Sequence, residues 1–235
     1  MSTIQKPWVT GPKELLNHGL QHLELDTDFD SRMAMISIDN AVELMIKTYL
    51  GLPKRITKIE NLTRKKFEEI TSTFPNLMDG LEEFASDKLT GIELGDIEWF
   101  HRLRNQLYHD GNGITVEKEK VETYAAISKI LFENLFGVKL EEQRKQSSVH
   151  NYVGEFINLW ATLEKKSFIE GDKFRPGVLV FNKLVEQGVI SKRQVSEIME
   201  VREFRNKVVH DMVRPTEKEL KQHIETLNKI LKLFK

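Results

Sequence analysis

The sequence predicts an all-α fold of two tandem antiparallel helical bundles. Apolar residues recur three and four positions apart along almost the whole chain, strict apolar/polar alternation is nearly absent, and the breaks carry helix start and stop residues. Thr10-Gly11-Pro12 predicts the opening of a helix that runs to about Leu25, with Leu16, Leu20 and Leu23 inward. Pro12 is expected near its first turn, where a missing N–H costs little. Asp30 or Ser31 is the expected cap of a second helix, whose inward stripe is Met35, Ile38, Val42, Met45, Ile46 and Tyr49 and which Gly51 and Pro53 stop. Over residues 52–95 the periodicity weakens and yields one helix near 63–74 and another over 76–88. Asp96 is the expected cap of a helix reaching about Asp110, the Gly111-Asn112-Gly113 turn ends it, and Thr115 starts the next, which reaches Phe136 and Gly137.

Residues 141–148, EEQRKQSS, hold no apolar side chain and divide the chain into an N-terminal bundle over 1–140 and a C-terminal bundle over 149–235. The second set begins with a helix over 149–166 carrying Tyr152, Val153, Phe156, Trp160 and Leu163, then one over 176–187 closed by Gly188. Ser191 with Gln194, and Thr216 with Glu219, form capping boxes that open the last two helices, to about Asp211 and Phe234. Each half then reads as a small antiparallel bundle.

Composition narrows the chemistry. With 40% hydrophobic and 30% charged residues the chain can bury a core, and no stretch approaches the roughly 18 uncharged apolar residues of a membrane span. The opening MSTIQKPWVT lacks the basic, apolar and small-residue succession of an export signal, so a cytoplasmic location and no membrane partner are expected. The absence of cysteine excludes disulfides, a thiolate nucleophile, sulfur-built zinc sites and cysteine-held iron–sulfur clusters. Nor is there a GxxxxGK[ST] loop, a GxSxG elbow or an HExxH helix. His, Arg, Lys, carboxylates and hydroxyls remain, with no metal and no cofactor expected. Net charge is −1, but residues 1–140 hold 17 Lys/Arg against 22 Asp/Glu, and residues 141–235 hold 18 against 14. The second half is better suited to a polyanion.

The informative feature is an internal repeat. RNQLYHD at 104–110 and RNKVVHD at 205–211 share Arg, Asn, His and Asp in the same spacing, 101 residues apart. At the same offset Ile97 matches Ile198, and Thr115 matches Thr216. Complementing a helix dipole explains an Arg and a His near one C-terminus, but not why two bundles share all four residues. At about 100° per residue Asn105 and His109 fall on one stripe, while Arg104 and His109 lie about 140° apart; the same holds for Arg205, Asn206 and His210. Two such helices facing each other would place two Arg, two Asn and two His around a shared cleft.

Such a set suits metal-independent cleavage of RNA. An imidazole titrating near neutrality exchanges a proton with a hydroxyl, and a permanently charged guanidinium holds a phosphate and stabilises its pentavalent transition state. The ribose 2′-OH attacks the adjacent phosphate, the 5′-oxygen leaves protonated, and a 2′,3′-cyclic phosphate results. The expected catalytic residues are Arg104, Asn105, His109, Arg205, Asn206 and His210, the Asn amides orienting imidazole or phosphate. Asp110 and Asp211 fix a tautomer or simply end the helix. Two further readings are a non-catalytic RNA- or nucleotide-binding module and a helical scaffold in which the tetrads form buried polar networks.

The pattern resembles the HEPN superfamily (higher eukaryotes and prokaryotes nucleotide-binding), whose signature is Arg, a polar residue, then His after four to six intervening positions on a helix. Both RNQLYH and RNKVVH satisfy it, over bundles of roughly 30–136 and 149–234. The resemblance implies a tandem HEPN protein, an intramolecular pseudo-dimer whose two motifs line one RNA-cleaving groove, acting as a toxin or antiviral defence ribonuclease. Its implied partners are RNA, an antitoxin or regulatory protein, and a second copy of the chain. Relatives partnered by minimal nucleotidyltransferases carry Tyr two residues after the motif His; here Asp110-Gly111 and Asp211-Met212 follow, which argues against that antitoxin class. The stretch 52–95 exceeds what a minimal bundle needs and reads as regulatory or as elaboration.

Weaker signals have plainer readings. Glu14, His18 and His22 share a stripe that could hold a metal but reads as a wet helix face. The clusters Lys54-Arg55-Lys58, Arg64-Lys65-Lys66 and Lys173-Arg175 read as solvated cations rather than a phosphate track. Trp99, Trp160 and Tyr152 sit at helical spacing with apolar neighbours and are expected in cores.

Overall fold

The computed structural model describes residues 6–25, 27–109, 115–140, 152–167, 178–210 and 215–234. All regular structure among them is helical: eleven α-helices and one 3₁₀ turn, Ser86–Leu89. No helix among these residues is long and apolar enough to cross a membrane. The chain divides into two compact units, residues 1–145 and 146–235.

The first unit is organised by α2 (Asp28–Gly51), against which α1 (Pro7–Glu24), α5 (Phe74–Ala85), α6 (Leu94–His109) and α7 (Lys118–Phe136) all pack. The expected stripe of α2 is its buried face: Met35, Ile38, Val42, Met45 and Ile46 are inaccessible to solvent. Helix α7 adds Val121, Tyr124, Leu131 and Phe132, and stops where Gly137 takes a left-handed φ of 64°. Several boundaries differ from the sequence reading. Helix α1 starts at Pro7, which takes the first-turn place expected of Pro12; Pro12 lies inside the helix, where it costs the one bond to Trp8. Thr27, not Asp30 or Ser31, caps α2, its Oγ1 accepting from the Asp30 N–H at 3.1 Å. Helix α7 opens after Glu117 without a side-chain cap, so Thr115 does not play the part of Thr216.

The weakly periodic stretch forms α3 (Lys54–Thr57), α4 (Arg64–Ile70) and α5. Thr63 and Thr73 cap the last two, accepting from the N–H groups of Lys66 and Asn76. The helix expected over 63–74 therefore stops at Ile70, and the next begins earlier than expected, with Pro75 in its first turn.

Helices α1 and α2 approach most closely at Gly19. A Cβ there would lie 2.8 Å from Ile38 Cγ1 and 3.1 Å from the Ile38 backbone nitrogen, which cannot move without the helix. Gly19→Val should cost about 1–3 kcal/mol by overpacking, read as a lower urea midpoint at unchanged slope.

The second unit contains α8 (Tyr152–Ser167), α9 (Val178–Glu186), α10 (Lys192–His210) and α11 (Glu217–Leu231). Helix α11 packs on α8 and α10, and α9 packs on both of those. Phe156, Trp160, Leu163, Phe181, Ile198, Val209 and Leu227 form its interior. Both predicted boxes are present: Ser191 with Gln194 ahead of α10, and Thr216 with Glu219 ahead of α11.

Candidate functional site at the duplicated motif

The first motif occupies the last two turns of α6, and His109 is that helix's final residue. Arg104 does not turn toward His109. Its Nη1 donates to the Asn105 Oδ1 at 2.8 Å, its Nη2 donates to Asn40 Oδ1 on α2, and its Nε lies 3.2 Å from Asp39 Oδ2. The Nε contact is an ion pair by distance, without the alignment of a hydrogen bond. Asn105 thus presents its carbonyl to the guanidinium rather than to an imidazole, and no hydrogen bond joins it to His109 among the described residues.

Behind Arg104 lies a network that the motif does not contain. The carboxylate of Asp39 has no solvent exposure, and it accepts from the Tyr124 hydroxyl at 2.9 Å through Oδ1. Its Oδ2 takes His101 Nδ1 at 2.9 Å beside Arg104. The His101 ring is stacked on Phe74 at 3.5 Å and 2°, and the Tyr124 ring on Phe100 at 4.5 Å and 12°. Burial and the neighbouring Asp39 charge hold the Tyr124 phenol far above its usual range, so it stays a donor. Three helices, α2, α6 and α7, are joined through one buried carboxylate, which is tolerable inside a protein because it is hydrogen-bonded at both oxygens and paired with a guanidinium.

His109 is exposed, and its ring meets Tyr108 edge-on with centroids 5.3 Å apart. Tyr108 is 63% exposed, and the Arg104 guanidinium carbon lies 5.8 Å from its ring centroid. Tyr108 therefore neighbours both Arg104 and His109.

In the second unit Arg205 is only 2% exposed and His210, the last residue of α10, is exposed. Arg205 Nη1 lies 3.5 Å from Asn206 Oδ1, the counterpart of the Arg104–Asn105 bond. At the position equivalent to Tyr108 stands Val209, fully buried. The two copies share the Arg-to-Asn contact and the terminal, exposed His, and differ in the residue before that His. Asp110 and Asp211 lie outside the described residues.

Other candidates resolve into ordinary contacts. Glu14 and His18 are exposed, as a wet helix face would have them, while the half-buried His22 pairs through Nδ1 with Asp30 at 2.9 Å and its ring meets His18 at 4.8 Å. No group of three metal-ligating side chains exists among the described residues. Lys54 pairs with Glu60 and Arg64 with Glu68, so these cations already face carboxylates; Lys173 and Arg175 lie outside the described residues. Trp160 is buried in the core as expected, whereas Trp99 and Tyr152 are half-buried, under Lys120 and Lys221.

A small cleft of about 170 Å³ in the second unit is lined by Glu197, Glu200, Gln222, His223 and Lys229. His223 stacks on Phe204 at 4.0 Å, and burial holds its pKa below the usual imidazole range against the opposing pull of Glu200 and Glu219. The folded state thus binds its proton less readily than the unfolded chain, so stability should rise with pH through the interval below 6.5 and fall on acidification. His223→Phe should flatten that slope for the second unit, checked by urea midpoints between pH 5 and 7.

A domain-family model described as a domain of unknown function (DUF4145) matches residues 180–234, which hold α10, the second motif and α11. Comparison with curated proteins and with solved structures gives no match.

Proposed function

We propose that this chain is a metal-independent endoribonuclease of the HEPN type, acting on cytoplasmic RNA as a toxin or defence effector. The single observation that carries the reading is the duplicated R-N-x-x-x-H arrangement, with its Arg held against the adjacent Asn and its His exposed at the helix end in both units. Arg104 spends one N–H of each Nη on an Asn carbonyl, and a planar guanidinium has five donors in all. The remaining Nη donors suit a phosphate, and tethering spares the cost of ordering a long side chain when it binds. His109 and His210 would exchange protons with the 2′-hydroxyl and the departing 5′-oxygen. The implied partners are RNA, a neutralising protein and a second copy of the chain.

The test is digestion of single-stranded RNA in EDTA. Product ends carrying 2′,3′-cyclic phosphate, and their loss when the scissile nucleotide is 2′-deoxy, are the expected results; cleavage that survives the 2′-deoxy substitution overturns the mechanism.

A second reading is favoured by a specific observation. Arg205 is almost wholly buried and Arg104 is ion-paired to a buried carboxylate, as tetrads serving a helical scaffold would be. Under that reading Arg104→Ala and Arg205→Ala melt their units and the chain leaves RNA intact. Under the ribonuclease reading the exposed His residues govern activity with little effect on stability.

A further inference from the structure

We propose that Tyr108 is the platform on which the chain stacks an unpaired nucleobase of its RNA, beside the first motif and not the second. The inference rests on the ribonuclease reading for its substrate class but on separate observations for its site. Tyr108 is 63% exposed on α6, where a core aromatic would bury its ring. Among the described residues its side chain has two neighbours of note, the Arg104 guanidinium and the His109 ring, both members of the motif. The fold does not need an aromatic there: the equivalent place in the second unit is filled by Val209, packed inside.

The chemistry of the three groups matches one nucleotide. An aromatic face accepts a base of any identity, a guanidinium takes the phosphate, and an imidazole reaches the ribose hydroxyl. The spacings of 5.8 Å from Arg104 to Tyr108 and 5.3 Å from His109 to Tyr108 are of the size of a nucleotide's own parts. Arg104 is anchored by Asn40, Asn105 and Asp39, so the phosphate-binding end of the cradle is held in place, while most of the Tyr108 side chain beside it remains exposed. A base held in a duplex cannot lie on that ring, so the recognised RNA is single-stranded at the bound nucleotide. Val209, buried at the equivalent position of the second motif, offers no such face, so the stacking site is assigned to the first motif.

The experiment uses the full chain and a fluorescently labelled, uncleavable 2′-O-methyl single strand, alongside an abasic strand of equal length and charge, with binding read by anisotropy. Tyr108→Ala should weaken binding to the base-bearing strand by roughly tenfold to a hundredfold, the range of one lost base–aromatic stack. Tyr108→Phe should bind like the wild type. On the abasic strand wild type and Tyr108→Ala should bind alike, a comparison that a general loss of folding cannot mimic. Equal binding of the base-bearing strand by wild type and Tyr108→Ala overturns the proposal, as does an equal loss on both strands. If the stacking signature is present but cleavable RNA yields no cyclic phosphate, the ribonuclease reading fails and the platform stands. If RNA is cleaved and Tyr108→Ala binds as wild type, the platform alone fails.

Discussion

Asp39→Ala is expected to destabilise the first unit by about 3–5 kcal/mol, the cost of breaking a buried ion pair from one side. The carboxylate is inaccessible to solvent and serves Tyr124, His101 and Arg104 together. Its removal leaves a guanidinium beside an empty site, a buried hydroxyl without an acceptor and an imidazole stacked on Phe74 without its anchor. In a unit of this size each kcal/mol moves the melting midpoint by roughly 2–4 °C, so a fall of about 6–20 °C should be seen by calorimetry. Asp39→Asn keeps one carbonyl acceptor and should lose less. Replacing Asp39 and Arg104 together by leucine should recover only the part of the loss due to the unpaired guanidinium, because the buried Tyr124 hydroxyl and the His101 imidazole still lack their acceptor. If Asp39→Ala melts like the wild type, the network is not what joins α2, α6 and α7.

The fold was legible where its causes are local. The capping boxes of α10 and α11 were readable because cap and acceptor sit three residues apart, and the apolar stripe of α2 because its period belongs to one helix. Boundaries in the stretch 52–95 were not, since short helices carry little periodicity and Thr63 and Thr73 cap segments of seven and twelve residues. The motif residues were legible through repetition, but their partners were not. Asp39 and His101 are 62 positions apart, and Asp39 and Tyr124 are 85 apart, so only the packing of three helices brings them together. One signal was present all the same: Asp39 stands on the inward stripe of α2, four residues after Met35 and three before Val42, where a carboxylate is tolerated only if partnered. His101, three residues before Arg104, falls on the face that meets it. The Arg104–Asn105 contact was not legible either: the motif predicts an Asn amide orienting imidazole or phosphate, and the structure shows its carbonyl accepting from the neighbouring guanidinium.

Replacing both motif histidines should separate activity from stability. His109 and His210 are exposed last residues of α6 and α10, where a cation's interaction with the helix dipole amounts to about 0.3–1 kcal/mol. The alanine variants should therefore melt within about 4 °C of the wild type for the first unit and within about 8 °C for the smaller second unit. Positioned proton transfer contributes about 10²- to 10⁴-fold to rate, so release of cyclic phosphate in EDTA should drop by at least about a hundredfold in each single variant. Groups that act in one reaction are non-additive, and the double variant should then be little worse than the poorer single. Two independent motifs would behave otherwise: each single variant would keep the other's turnover and only the double would be inactive. Under the buried-network reading neither His matters, while Arg104→Ala and Arg205→Ala each lower the melting midpoint sharply. A rate assay and a melting curve on these variants place the protein in one of the three cases, because exposed imidazoles and the ion-paired Arg104 and buried Arg205 respond to opposite measurements.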